Sequence, residues 1–273
     1  MNTVIVVLTD EKYFEKSKRT ILDVRSRGEW TGDLVLITVD FNAPSNFLDY
    51  YNITQKRVNH IDCSMIIEAY SSSPIRPTSD NREFSKLAQW NKFYVFDEYF
   101  SNWERVIYLD AGLRVFDKIQ YLTDLTCSGA ILAPDDSPED DDSKRFGGII
   151  ETDQNPEVVQ KLFQEYEPKI LNERYFLNCL WMYETKLLSK VKFQELVDTM
   201  NKYPICRCNE MTIMNLIFTF KYKLWQALPE YTETKNGRKR LFGWTENDRD
   251  YGNSSWRDFC FLKYPKTINF DCE

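Results

Sequence analysis

The sequence predicts an α/β domain built on a mostly parallel central sheet flanked by helices. Three stretches carry that expectation. Thr3–Thr9 (TVIVVLT) and Asp33–Val39 (DLVLITV) are continuous aliphatic and β-branched runs, the pattern of strands buried on both faces. Residues 11–28 between them read as one helix, and strand–helix–strand at this spacing is a βαβ unit, which implies a parallel pair. Arg105–Asp110 (RVIYLD) is a third buried run, ending on an acid beside two small residues, Ala111 and Gly112. Strands that finish this way often border a ligand, because small residues let it approach the backbone closely.

The remaining elements follow in order. Asp10 offers an N-cap to the first helix, which stops near Gly28. Residues 42–82 are less regular, and the proline-bearing, small-polar stretch Ser71–Asn81 is a loop. Arg82–Phe100 has helical spacing at Phe84, Leu87, Trp90 and Tyr94, with a second apolar row at Phe93, Phe96 and Phe100, so it is expected to pack on the sheet as a helix. Gly129–Pro134 (GAILAP) is a fourth strand, and the acidic, turn-rich Asp135–Gly148 reads as a mobile surface loop. Residues 156–171 form a helix. Residues 175–188 open as a strand or tight turn and continue as a helix, and another helix begins at 209. The aromatic-rich residues 254–273 look irregular, and the compact basic cluster NGRKR, Asn236–Arg240, falls in a loop. With neither linker nor repeat, residues 1–273 read as one domain.

Charge and composition narrow the function. A net charge of −7 and a pI near 5.1 argue against a nucleic-acid partner, which would call for a basic face. No apolar run reaches the length of a membrane span, and no basic segment precedes the first strand, so a cytoplasmic location is expected. The sequons at Asn52 and Asn253 then read as chance occurrences. Seven scattered cysteines without a CxxC pair, and a single histidine, His60, speak against structural zinc and for free thiols. No GxGxxG follows the first strand and no GxxxxGK[ST] occurs anywhere, so a glycine-rich cradle does not hold the ligand.

Five motifs, in order, resemble those of the GT-A fold glycosyltransferases, and most closely the glycogenin-like, retaining nucleotide-sugar transferases. VVLTDEKY (Val6–Tyr13) resembles the family's first strand and nucleotide loop. WNKFYVFDEYFSNWERVIYLDAG (Trp90–Gly112) resembles its lysine-bearing helix and the strand carrying Asp-x-Asp. YFLNCLWMYET (Tyr175–Thr185) resembles its Phe-Asn-(Ser/Ala)-Gly segment, NEMTIMNLIF (Asn209–Phe218) its Asp-Gln-x-x-x-Asn helix, and FLKYPKT (Phe261–Thr267) the place of a His and a Lys-Pro pair. The departures are specific. Gly112 stands where the second acid belongs, Glu210-Met211 replaces Asp-Gln, Cys179-Leu180 replaces the small-Gly pair, and no late histidine is present.

The resemblance implies a GT-A-like, Rossmann-like domain with a nucleotide-binding half (1–135) and an acceptor-side half with a C-terminal extension (136–273). It implies transfer of a sugar from a UDP-sugar to a glycan or protein acceptor, with retention; the alternative is a catalytically weak nucleotide-sugar-binding protein. Leu8, Thr9, Asp10 and Tyr13 map to the base and ribose pocket, and Lys92, Asp110, Ala111 and Gly112 to the donor. Asn178 and Glu210 map to the sugar and acceptor region, supported by Asn215. Asp110 is the sole surviving position for a Mn2+ or Mg2+ ion, so Arg114, Lys263 and Lys266 are expected to supply cationic charge at the diphosphate. Plainer roles stand beside these: Tyr13 as a core aromatic, Asn178 as a turn cap, Lys92, Lys263 and Lys266 as solvated lysines, and Glu210 as a helix N-terminal acid. For Asp110 the plain role is weakest, because an acid ending a buried strand is costly unless something satisfies it.

Overall fold

The computed structural model describes residues 1–72, 86–136, 144–153, 155–245 and 254–263. Its frame is a seven-stranded sheet in the order β3-β2-β1-β4-β7-β6-β8, formed by Thr54–Val58, Asp33–Val39, Thr3–Thr9, Arg105–Leu109, Leu180–Glu184, Ile131–Ala133 and Trp225–Ala227. β1 pairs in parallel with both β2 and β4, β2 with β3, and β6 with β8. β7 alone runs against its neighbours, β4 and β6.

Alternation along each strand divides the core into two layers. Val4, Val6, Leu8, Val106, Tyr108, Trp181 and Tyr183 face one side of the sheet; Ile5, Val7, Ile107, Leu109, Leu180 and Met182 face the other. Helix α1, Phe14–Ser26, covers the second face with Phe14, Ile21 and Val24. The first face is covered by Leu87–Phe96 and by the helices Pro156–Glu165, Phe193–Lys202 and Glu210–Asn215.

Several elements differ from expectation. The described part of Arg82–Phe100 is not an α-helix but two 3-10 segments, Leu87–Phe96 and Glu98–Asn102. Trp90, Phe93 and Phe96 recur every third residue, all buried, and that is the 3-10 period. Residues 42–72 hold helices Ser45–Tyr50 and Ser64–Ser72 and the polar edge strand β3 (TQKRV). The helix expected over 156–171 breaks after Glu165 and resumes as a 3-10 turn at Pro168–Asn172. The helix from Glu210 widens into a π segment at Leu216–Lys221. Of the acidic loop, Asp135 bridges to Phe176, Asp136 is buried and accepts a hydrogen bond from Tyr175, and Phe146–Gly148 is a 3-10 turn; residues 137–143 lie outside the described residues.

A second sheet, β5-β11-β10-β9, was not foreseen. NGRKR enters strand β10, Gly237–Trp244, which pairs antiparallel with β9, Tyr231–Thr234. There Lys239 is ion-paired with Asp117 and Arg240 with Glu230. The C-terminal region expected to be irregular contains β11, Phe259–Lys263, held antiparallel to β5 (Arg114–Val115) and parallel to β10. This sheet decides where the last described lysine sits.

Candidate active site

The site forms where β1 and β4 end side by side, Val7 opposite Leu109. In open α/β sheets the crevice beyond the carboxyl ends of the strands is the ligand-binding place. Asp110 leaves β4 there, its amide donating to the Cys179 carbonyl at 2.9 Å, so the strand end is tied to the segment entering β7.

Five side chains from five separate segments converge on this point. Lys263 Nζ lies 2.6 Å from Asp110 Oδ2 and donates to the Ala111 carbonyl at 2.7 Å. Lys92 Nζ lies 3.3 Å from Asp110 Oδ1 and 2.8 Å from Glu210 Oε1, and donates to the Asn178 carbonyl at 3.2 Å. Asn178 Nδ2 donates to Glu210 Oε1 at 2.7 Å. Among the described residues Glu210 Oε2 is buried with no hydrogen-bond partner, an unusual state that an incoming hydroxyl would relieve.

Local structure explains the convergence. Lys92 is buried in its 3-10 segment, with its ammonium 5.8 Å from the Tyr108 ring centroid and within reach of the two carboxylates. Asn215 clamps the backbone of Phe176, accepting from its amide and donating to its carbonyl, each at 3.0 Å. That clamp fixes the Phe176–Asn178 stretch against the helix that carries Glu210. β11 is held in register by Leu262 opposite Arg114 and Lys263 opposite Trp244, and Thr245 donates to the Lys263 carbonyl through both its amide and its hydroxyl.

The electrostatics follow from these distances. Burial opposes charge on Asp110, but the ammoniums of Lys263 and Lys92 overcome it and hold the carboxyl down to about 2. Burial likewise pushes the Lys92 ammonium down, and the Asp110 and Glu210 carboxylates more than reverse this. Burial pushes the Cys179 thiol up to about 12, so it is a neutral filler beside the charges.

The remaining expected residues divide. Leu8 and Thr9 are buried at the end of β1, with the Thr9 hydroxyl donating to the Asp10 carbonyl. Asp10 caps the turn that follows, accepting from the Tyr13 amide at 2.8 Å. Tyr13 is not a core aromatic. Its half-exposed ring lies 5.8 Å from Lys12 Nζ and 5.1 Å from Lys16 Nζ. Gly112 turns with φ +81°, and its amide donates to the Thr20 hydroxyl on α1. A Cβ there would lie 3.7 Å from the Lys16 side chain, so the first turn of α1 and the Asp110–Gly112 turn are direct neighbours. Arg114, by contrast, is not turned to Asp110. Its guanidinium donates to Asp23 Oδ2 at 2.5 Å and to Oδ1 at 3.3 Å, a buried pair that fastens α1 to β5. Lys266 lies outside the described residues.

Tyr108 was missed. Its hydroxyl donates to Asp110 Oδ1 at 3.0 Å while its ring stacks on Trp181 at 3.8 Å. The signal was present, since residues two apart on a strand share a face.

The described residues do not fit a divalent cation. Such an ion needs several oxygen ligands, and among the described residues no group of three or more His, Cys, Asp or Glu is placed to hold one. Both Asp110 oxygens already face ammonium or hydroxyl donors, and Gly112 contributes no ligand.

The sequence matches no protein-family model and no curated protein. Its fold has clear counterparts. It is similar to the galactosyltransferase LgtC in complex with donor and acceptor sugar analogues, with TM-score 0.57 and 14% identity over 88% of this chain and 75% of that one. It is similar to core-mannan synthase A from Aspergillus fumigatus in its Mn/GDP form, with TM-score 0.52 and 8% identity over 84% and 73% of the two chains. The mannosyltransferase Ktr4p from S. cerevisiae gives TM-score 0.50 and 9% identity over 83% and 68%. The chain thus has the GT-A glycosyltransferase fold, a seven-stranded mixed sheet flanked by helices. Among the described residues no helix is long and apolar enough to cross a membrane.

Proposed function

We propose that this chain is a glycosyltransferase, moving a sugar from a UDP-sugar to a glycan or protein acceptor with retention, as the glycogenin-like resemblance implies. The observation that carries the reading is the joining of Lys92, Asp110, Asn178, Glu210 and Lys263 into one hydrogen-bonded cluster at the crevice end of the sheet. A cluster meant for stability alone would not leave Glu210 Oε2 buried and unpartnered beside a lysine.

In this reading Leu8–Tyr13 receive the nucleoside, with the Tyr13 ring as a stacking face. Asp110, held ionised, accepts from the ribose hydroxyls. Asn178 and Glu210 face the sugar, with Glu210 Oε2 accepting a hydroxyl. The bond between sugar C1 and the diphosphate oxygen breaks, and its electron pair leaves with UDP. The acceptor hydroxyl oxygen bonds to C1 on the same face and its proton passes to the departing phosphate oxygen. Fixed cationic charge near the leaving diphosphate lowers the barrier, because it is already oriented when the charge develops. Nucleotide-sugar binding without turnover is the second reading, favoured by the loss of the second acid at Gly112.

The test is thermal unfolding with UDP and with ATP, followed by UDP release from a panel of UDP-sugars with and without acceptors. UDP is expected to raise the midpoint and ATP not to. Equal shifts, or none, would remove the nucleotide-sugar reading. Stabilisation without release from any donor would favour binding alone.

A further inference from the structure

We infer that Lys263 takes the place of the divalent cation in this site, so that donor binding and transfer by this chain need no metal. The inference rests on the proposed transferase function. Its ground is what surrounds Asp110. The Lys263 ammonium lies 2.6 Å from one carboxylate oxygen and 2.7 Å from the Ala111 carbonyl, so a cation already occupies the Asp-Ala-Gly turn. The other oxygen takes the Tyr108 hydroxyl at 3.0 Å and faces Lys92 Nζ at 3.3 Å.

The second ligand position is also changed. Gly112 adopts a left-handed φ of +81°, and the side chain nearest to a Cβ built there is Lys16, a cation rather than a carboxylate. A dication bound to Asp110 would therefore sit among the ammoniums of Lys263 and Lys92, and like charges oppose it. The substitution is balanced, because the described cluster pairs two carboxylates, Asp110 and Glu210, with two lysines, Lys92 and Lys263.

Lys263 is built in rather than carried on a loose tail. Its side chain is 5% exposed, and its backbone lies in β11 opposite Trp244 with its carbonyl held by Thr245. A charge fixed in this way needs no reorganisation when the diphosphate departs, which is what electrostatic catalysis requires.

Two measurements on the intact chain test this. Manganese is first titrated into the nucleotide-free protein by calorimetry; no saturable binding below the millimolar range is expected, and a micromolar site would overturn the inference. UDP affinity is then measured in EDTA and in excess Mn2+. The two values should agree within about tenfold, roughly 1.4 kcal/mol. Lys263→Met should weaken UDP more than EDTA does, with urea unfolding of the free variant confirming that it is folded. Binding of UDP with Mn2+ but not in EDTA would overturn the inference and leave the transferase reading intact. Absence of UDP binding under both conditions would overturn the transferase reading and the inference with it.

Discussion

Replacing Lys92 by methionine keeps the length and apolar stem of the side chain and removes one charge. In the structure that charge serves Glu210 at 2.8 Å and Asp110 at 3.3 Å. Asp110 retains Lys263 and the Tyr108 hydroxyl, but Glu210, whose side chain is 2% exposed, is left with the Asn178 amide alone against a full negative charge. Removing one partner of a buried ion pair costs about 3–5 kcal/mol. At roughly 2–4 °C per kcal/mol for a chain near this size, the melting point should fall on the order of 10 °C. Urea unfolding followed by circular dichroism measures the loss as a lowered midpoint at unchanged slope. The double variant Lys92→Met with Glu210→Gln then decides the cause. The introduced glutamine keeps the acceptor for Asn178 and carries no charge, so the double variant should recover about half or more of the loss, a coupling of at least ~2 kcal/mol. A Lys92→Met midpoint within about 1 kcal/mol of the parent, or simple addition in the double variant, would refute the claim that the lysine compensates buried charge.

Asp110→Asn keeps the side-chain shape and one of the two acceptor oxygens, for either Lys263 or the Tyr108 hydroxyl, and removes the charge, so circular dichroism should be unchanged while transfer falls on the order of 100-fold or more; near-normal turnover would make Asp110 a structural acid. Acid should weaken the fold through the same residue. The Asp110 carboxyl is held at about 2 against an ordinary 3.8, so its stabilisation is complete above the ordinary value and is lost as pH falls through about 2. The difference is worth roughly 2 kcal/mol. Urea midpoints measured across this range should fall less steeply in Asp110→Asn than in the parent. The Lys92 ammonium, held above its ordinary 10.5, keeps its contribution until pH exceeds that value, so no loss from this pair is expected between about pH 5 and 9.

The legible part of the fold was the part buried on both faces. β1, β2 and β4 are apolar runs because they are buried on both faces of the sheet, the pattern of central parallel strands. β3 reads TQKRV because it is an edge strand, where lysine and arginine discourage further pairing, and such a run cannot be told from a loop. The Leu87–Phe96 segment was placed correctly on the sheet but assigned the wrong helix, since a three-residue apolar spacing fits both periods. In the second sheet β5 and β11 are defined by one another across more than a hundred residues, Arg114 against Leu262, whereas β9 and β10 form a local hairpin whose charged strand, beginning in NGRKR, reads as a loop. The site divides in the same way. Lys92, Asp110, Asn178, Glu210 and Lys263 were reached through ordered motifs, and the structure brings them together. Arg114 was misplaced because charge alone does not say which face of a two-residue strand a side chain takes, and Asp23, a buried acid on α1, claimed it.

The pairing around Asp110 also bears on how an acidic protein would hold the proposed diphosphate donor. A net charge of −7 works against any phosphate approaching from solvent, so attraction must be local. A second aspartate at 112 would deepen the negative potential and oblige a metal to reverse it. In the proposed reading glycine there removes that obligation, and Lys263, fixed by the register of β11, is ion-paired with the acid that remains. Beside this cluster the first-strand loop and the start of α1 carry Asp10 and Glu11 together with Lys12 and Lys16, the two lysines exposed and 5.8 and 5.1 Å from the Tyr13 ring. Exposed lysines attract weakly through water and more strongly once a ligand excludes it. If the chain binds a nucleotide as proposed, these two lysines gain strength as the ligand excludes water, while in the described cluster beneath them each carboxylate is paired with a lysine.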